Sequence, residues 1–202
     1  MSGDLFGAAD YSVNLLPSDG EVNYHGPIFG VDECGRLFEK LLAEVAWRHD
    51  EAVMFGKRIV TARKVAWYGN EGFKYTYSGT TKEALPWSDT LREIKAKVET
   101  LSGAKFNSCL LNLYHHGEEG MGWHSDDEKE LARDAAIASV SLGAARKFCF
   151  KHKQSGERVD VGLENGSLLV MLGATQRYWL HRLPPSKRVK GARINLTFRL
   201  MA

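Results

Sequence analysis

From Phe106 onward the chain shows no long helical period; short apolar runs alternate with turn-forming residues. The runs span Asn107 to Tyr114, Ile137 to Leu142, Lys147 to Lys151, Arg158 to Leu163, Ser167 to Leu172, Tyr178 to Leu183 and Arg193 to Leu200. A short strand satisfies its backbone only by pairing with another. Strands in this number predict an α+β, mainly β chain: a sandwich or jelly roll backed by helices on one side.

The N-terminal half supplies the helices. Leu37, Phe38, Leu41, Leu42 and Val45 recur at helical spacing after Asp32, a candidate N-cap, which predicts a helix ending near Trp47. A second follows Pro86-Trp87-Ser88. Thr90 and Glu93 are spaced as its capping box, Leu91, Ile94, Val98 and Leu101 form its apolar stripe, and Gly103 stops it. Residues 1–25 read as an extended lead-in. Residues 26–202 read as one domain, since 202 residues with 44% hydrophobic content can bury one sizeable core. Between the helices, Ile59 to Tyr68 reads as strand. Phe73, Tyr75 and Tyr77 alternate with Lys74 and Thr76, so a strand there has one aromatic face, either packed in a core or free to stack on bases.

Composition narrows the setting. The three cysteines, Cys34, Cys109 and Cys149, have no Cys-x-x-Cys spacing, which argues against a disulfide framework or structural zinc and fits a reducing compartment. Residues 1–10 lack a signal-peptide pattern, and no apolar run approaches the ~20 residues a membrane span needs. An intracellular monomer without membrane association is expected, in the cytoplasm or nucleoid of a bacterium or the nucleus of a eukaryote. Net charge is only +2, but basic residues gather at Arg146-Lys147, Lys151-His152-Lys153 and Arg182 to Arg193. Such clusters suit a polyanion or a solvated loop equally.

The chemistry centres on Gly122-Trp123-His124-Ser125-Asp126-Asp127-Glu128. On a strand, the spacing of two puts His124 and Asp126 on one face. A remote histidine, with His181 the candidate, would complete the two-His-one-carboxylate triad that binds Fe(II) and leaves positions open. In the last strand Arg193, Asn195, Thr197 and Arg199 share one face, and Ile194, Leu196 and Phe198 the other. A solvated face would look the same. A di-acid such as 2-oxoglutarate, however, needs two guanidinium forks, and Asn112 and Tyr114 offer further donors. His115 and His116 point to opposite faces as neighbours, and His25, His49 and His152 read as surface or core residues.

His124-x-Asp126, distal His181 and Arg193-x-Asn195-x-x-x-Arg199 resemble the pattern of the AlkB family of Fe(II)/2-oxoglutarate-dependent nucleic-acid demethylases. The likeness extends through Met54-Phe55-Gly56-Lys57, Tyr75-Thr76-Tyr77-Ser78-Gly79, Asp126 to Ala132, Ile137 to Ser141 and Asn195 to Arg199. It is nearest to the vertebrate nuclear member that repairs double-stranded DNA, although one lid aromatic is Tyr here where that member has Phe. No stretch matches the N-terminal partner-binding extension of some relatives.

The resemblance implies a double-stranded β-helix, or jelly roll, with two helices of the N-terminal half behind it and a nucleotide-recognition lid at about residues 50–85. It implies Fe(II) on His124, Asp126 and His181. It further implies 2-oxoglutarate held distally by Arg193, Asn195 and Tyr114 and nearer the metal by Arg199 and Asn112, with Thr197 in the same pocket, O2 as oxidant and ascorbate helpful in vitro. Tyr75 and Tyr77 match the lid, Asp127 and Glu128 the base pocket, and Phe55, between Met54 and Gly56, the finger that fills the gap left by an extruded base. Arg63 is a candidate phosphate contact. The implied reaction oxidises the N-methyl group of 1-methyladenine or 3-methylcytosine and releases formaldehyde and succinate. Those bases are cationic, which suits the Glu128 carboxylate and aromatic faces. DNA, single- or double-stranded, is the expected partner, with RNA also open. The rival readings are a 2-oxoglutarate oxygenase acting on RNA, protein or a small molecule, and a non-catalytic nucleic-acid binding module.

Overall fold

The computed structural model describes residues 13–54, 57–77 and 80–202, with 50–59 and 74–82 as backbone only. Phe55 and Gly56 therefore lie outside the described residues, as do the side chains of Met54, Tyr75 and Tyr77. Strand β1 (Glu21–Pro27) and helix α1 (Val31–Glu44) open the fold. Strands β2 (Arg48–Met54), β3 (Lys57–Gly69), β4 (Lys74–Tyr77), β5 (Thr80–Glu83) and β6 (Leu85–Pro86) precede helix α2 (Asp89–Ser102). Then come β7 (Ser108–Tyr114), β8 (Met121–His124), β9 (Ile137–Gly143), β10 (Arg146–His152), β11 (Arg158–Leu163) and β12 (Ser167–Leu172). A short helix α3 (Thr175–Tyr178), β13 (Trp179–Leu183) and β14 (Arg193–Arg199) complete the chain.

The major sheet runs β1-β12-β9-β14-β7-β3-β2, with β6 beside β3; the minor sheet runs β11-β10-β13-β8, and β4-β5 is a separate hairpin. This is the mainly antiparallel, helix-backed sandwich expected from the strand count. The seven strand-like runs after Phe106 match β7 and β9 to β14 to within one residue at either end. The lead-in is more structured than expected. Val22 is fully buried, and Glu21–Pro27 pairs antiparallel with β12 as an edge of the major sheet.

Both helices differ in detail from the sequence reading. Gly30, not Asp32, precedes α1, and Asp32 lies in the first turn, where its charge favours the positive helix end. The helix stops at Glu44 because Val45 is extended, and the Trp47 indole donates to the Leu41 carbonyl at 3.2 Å in place of further turns. Ser88 caps α2 by accepting from the Leu91 N–H, so the Thr90–Glu93 box is not used; Thr90 is buried and Glu93 pairs with Arg36 of α1. Gly103 closes α2 in the left-handed conformation at φ 68°, as its sequence position suggests. Leu42 and Leu101, expected on the apolar stripes, are 41% and 40% exposed, because they lie at the outer edge of each helix's buried arc.

Leu37 and Leu41 of α1 and Leu91, Ile94 and Val98 of α2 pack against Leu111, Val140, Leu168, Ile194, Leu196 and Phe198 on one face of the major sheet. Full burial of each such aliphatic side chain contributes about 1.5–3 kcal/mol. The other face meets the minor sheet through Val22, Ile137, Leu169 and Met171 against Phe150, Leu163 and Trp179. Beyond this second core the same face turns polar, because alternation brings Asn112, Ser139, Ser141, Arg193 and Asn195 inward.

Gly143 ends β9 opposite Arg193 with φ 89°, and a Cβ there would lie 2.4 Å from the Ala192 carbonyl oxygen and 2.8 Å from the Phe38 ring. Gly143→Ala should therefore lower unfolding stability by about 2 kcal/mol or more in a urea titration. An unchanged midpoint would contradict this account of the strand end.

Candidate metal centre and co-substrate pocket

Cross-strand pairing builds the metal site. The minor sheet aligns His181 of β13 directly with His124 of β8, so the two imidazoles meet edge-on with ring centroids 4.3 Å apart. His124 is the last residue of β8, and Asp126 lies past the strand end, so strand alternation is not what joins them. The chain turns inward instead. The Asp126 N–H donates to Gln176 Oε1 at 2.9 Å, and the carboxylate accepts from Arg199 Nη2 at 2.9 Å. Asp126 Oδ1 then lies 3.8 Å from His124 Nε2 and 4.0 Å from His181 Nε2. One potential ligand atom from each residue falls within 4.8 Å of the others, the one such group of three found among the described residues.

Protonation favours a cation here. Burial pushes the His181 imidazole down to about 3, with the neighbouring His124 and Arg199 charges reinforcing it against the pull of Asp126, so a neutral ring is offered. Burial alone would raise the Asp126 carboxyl, but Arg199, His181 and His124 outweigh it and hold it below its ordinary value. His124 Nδ1 lies 2.9 Å from the Gly122 carbonyl, an arrangement that puts the proton on Nδ1 and leaves Nε2 facing the site. Phe148 and Phe150 wall the His181 ring, at 5.5 and 6.2 Å.

Behind this group lies the polar patch of the major sheet. Arg193, 1% exposed, donates through Nη2 to Ser141 Oγ at 2.8 Å and Asn195 Oδ1 at 2.6 Å. Asn195 also accepts from Ser139 Oγ and donates to Thr197 Oγ1. Burial brings the Arg193 guanidinium down to about 10, still charged at neutral pH. The Tyr114 ring lies 5.6 Å from it and keeps its phenolic proton, burial raising its pKa against the Arg193, Arg63 and Arg146 charges. The face is thus buried, so the solvated-face reading does not hold. A desolvated guanidinium with no carboxylate partner among the described residues is costly until an anion meets it. Among the described residues, the donors Arg193 Nε and Arg199 Nε and the acceptor Asn112 Oδ1 are buried without hydrogen-bond partners. The two guanidinium N–H groups fit the carboxylates of a small keto di-acid, and the two imidazoles with a carboxylate fit a divalent metal.

Arg199 is engaged differently from a free clamp. Besides Asp126, its Nη1 lies 3.6 Å from Glu128 Oε1, and Glu128 Oε2 is buried without a hydrogen-bond partner among the described residues. A cavity of about 350 Å³ opens there, lined by Asp126, Glu128, Arg199, Gln176 and the exposed Asp127. Arg63 is half-buried on β3, close enough for its charge to act on Tyr114, while Lys187, Arg188 and Lys190 are exposed. His115 pairs with Glu119, and His152 is buried against Ser155 and Asp19, so neither belongs to the metal group. The sequence reading missed Ser139, Ser141 and Gln176. The two serines carried a signal, as polar residues at alternate positions of an otherwise apolar strand; Gln176 carried none.

A jelly roll presenting two histidines and a carboxylate beside buried guanidiniums defines a mononuclear-metal oxygenase. The chain belongs to the 2OG-Fe(II) oxygenase superfamily, whose family model matches residues 24–199, and within it to the AlkB homologues that its motifs resemble. It is 42% identical over 183 residues to the mouse DNA oxidative demethylase ALKBH2, covering 85% of this chain and 77% of that protein. Against bovine ALKBH2 identity is 40%, and the chain spans 66% of that protein's length. The human alpha-ketoglutarate-dependent dioxygenase alkB homolog 3 is 38% identical over 200 residues, covering 94% and 69%. A solved structure of OsALKBH1 shares the fold at TM-score 0.62 and 16% identity, covering 92% of this chain and 98% of that one. Fe(II) and 2-oxoglutarate are accordingly the metal and co-substrate of its family. Among the described residues no helix is long and apolar enough to cross a membrane.

The His181 environment sets a pH dependence. Its folded value of about 3 lies below the ordinary 6.5, so between these the unfolded chain binds a proton that the folded protein refuses. Stability of the metal-free protein should therefore rise with pH across that window, by an amount on the order of a few kcal/mol. Denaturant titrations at about pH 4.5 and about pH 7 should show the rise in wild type and a flatter profile in His181→Gln. Equal slopes in the two proteins would contradict it.

Proposed function

We propose that this protein is a DNA oxidative demethylase that removes N-methyl groups from damaged bases such as 1-methyladenine and 3-methylcytosine. The observation that carries the reading is the carboxylate of Glu128 at a cavity shared with Asp126, in a chain whose relatives include DNA oxidative demethylases. His124, Asp126 and His181 would hold Fe(II). Arg193, Asn195 and Tyr114 would bind the distal carboxylate of 2-oxoglutarate, with Thr197 supporting Asn195 and with Asn112 and Arg199 nearer the metal. Bound there, iron, 2-oxoglutarate and O2 supply the oxidation that turns an N-methyl group into a hydroxymethyl group, which leaves as formaldehyde, with succinate and CO2 as co-products.

The protein's own share is binding and orientation. Arg199 holds the Asp126 carboxylate in its ionised form and links it to Glu128, so the metal side and the base side of the site share one guanidinium. The carboxylate of Glu128 would favour a cationic methylated base over its neutral parent by Coulomb attraction. Reaching the methyl group requires the nucleotide to leave the stack, and unpaired lesions do so at lower cost. Met54, Phe55 and Gly56 would form the finger that fills the gap, Tyr75 and Tyr77 the lid over the flipped base, and Asp127 part of the base pocket. Arg63, Lys64, Lys151, Lys153, Lys187, Arg188 and Lys190 are the candidate phosphate contacts, and DNA binding should weaken steeply with salt. A protein acting in this way works inside the cell, with DNA as its partner.

Formaldehyde release from methylated single- and double-stranded DNA, with methylated RNA and free nucleosides as controls, tests the assignment. Activity on DNA is expected, abolished in His124→Ala and reduced about ten-fold or more in Glu128→Gln, the order expected for losing one charged contact to a cationic substrate. Turnover confined to RNA or nucleosides would overturn it. So would His124→Ala protein that repairs as well as wild type.

A further inference from the structure

Tyr114 has another buried cation beside it that the site described so far does not use. Arg146, the first residue of β10, is 3% exposed and lies 5.9 Å from the centre of the Tyr114 ring. Its Nη2 donates to the carbonyls of Glu119 at 2.8 Å and Pro184 at 3.0 Å. These belong to the loop that leaves Tyr114 and the loop that leaves β13, the strand carrying His181. The loops are pressed together: Gly117 donates to Val189 and accepts from Ser186, and a Cβ on Gly117 would lie 2.3 Å from the Ser186 carbonyl oxygen and one on Gly120 2.5 Å from that of Leu183, where β13 ends.

A staple between two loops needs donors but not a charge, and here the charge is expensive. Among the described residues neither Arg146 nor Arg193 forms an ion pair with a carboxylate. The nearby Glu119 carboxylate is taken by the His115 N–H at 2.9 Å and its Nδ1 at 3.0 Å. Two like charges buried around one phenol repel each other until an anion arrives. We propose that Arg146 is a positioning residue of the co-substrate clamp: it fixes Tyr114 beside Arg193 and adds a second positive charge, so that the pocket selects a ligand whose far end is a carboxylate. This rests on the reading that 2-oxoglutarate binds with its distal carboxylate at Arg193.

The test is calorimetric titration of Mn(II)-loaded protein with 2-oxoglutarate and with 2-oxopentanoate, which carries a methyl group in place of the distal carboxylate. Arg146→Gln keeps a donor and loses the charge; Arg146→Lys keeps the charge and loses the fork. Arg146→Gln should weaken 2-oxoglutarate about ten-fold and Arg146→Lys about three-fold, while 2-oxopentanoate changes by less than about two-fold in both. In a Tyr114→Phe background the effect of Arg146→Gln should shrink to about three-fold or less, because the two residues act as one unit. Equal weakening of both ligands, or wild-type affinity for 2-oxoglutarate in Arg146→Gln, overturns the proposal. A wild-type protein that binds the two ligands equally refutes the clamp itself, a separate failure from that of Arg146.

Discussion

The ion pair between Asp126 and Arg199 is the contact on which the site depends. Asp126 lies past the strand end and is almost wholly buried, and the Arg199 guanidinium at 2.9 Å is the foremost of the charges that hold its carboxyl below its ordinary value against burial. Arg199 is itself enclosed, and desolvation of its guanidinium is offset by Asp126 first and Glu128 second. Each charge is tolerable only because the other is there. The pair also joins β14 of the major sheet to the segment following β8 of the minor sheet, so the contact that holds a candidate metal ligand in place doubles as a link between layers.

The major sheet makes room for this by having two unlike faces. Alternation along β14 sends Ile194, Leu196 and Phe198 to the helices and Arg193, Asn195 and Thr197 to the interior of the sandwich. The helical side is a close-packed apolar layer, and it fixes the sheet well enough for the opposite face to carry polar groups out of water. Those groups bond to one another in a chain from Ser141 through Arg193 and Asn195 to Thr197, but among the described residues no carboxylate pairs with the charge on Arg193. In a pocket prepared in this way the desolvation cost of the guanidinium has been met on folding, so it is not added to that of an anionic ligand on binding.

Much of this was legible in the chain. Period-two patterning located seven strands, and the period of 3.6 located both helices, since each rests on local backbone geometry that sequence spacing reports directly. The caps were misplaced because several residues near each helix start could serve, and competition among Gly30, Asp32, Ser88 and Thr90 is settled by where the chain enters the core. Arg193, Asn195 and Arg199 could be assigned to one face, but nothing local shows whether such a face is solvated or buried. Ser139 and Ser141 carried a readable pattern, whereas Gln176 on a four-residue helix did not.

The sequence by itself determined the elements, their faces and the residue types able to hold a metal and a di-acid, because side-chain direction follows from position along a strand or helix. Only the tertiary structure decided that His181 pairs with His124, that Asp126 reaches them from beyond the strand end, and that Arg146 lies against Tyr114. These are contacts between residues remote along the chain, set by strand register and by which charges must neutralise one another once water is excluded. Neither condition exists until the sheets have packed.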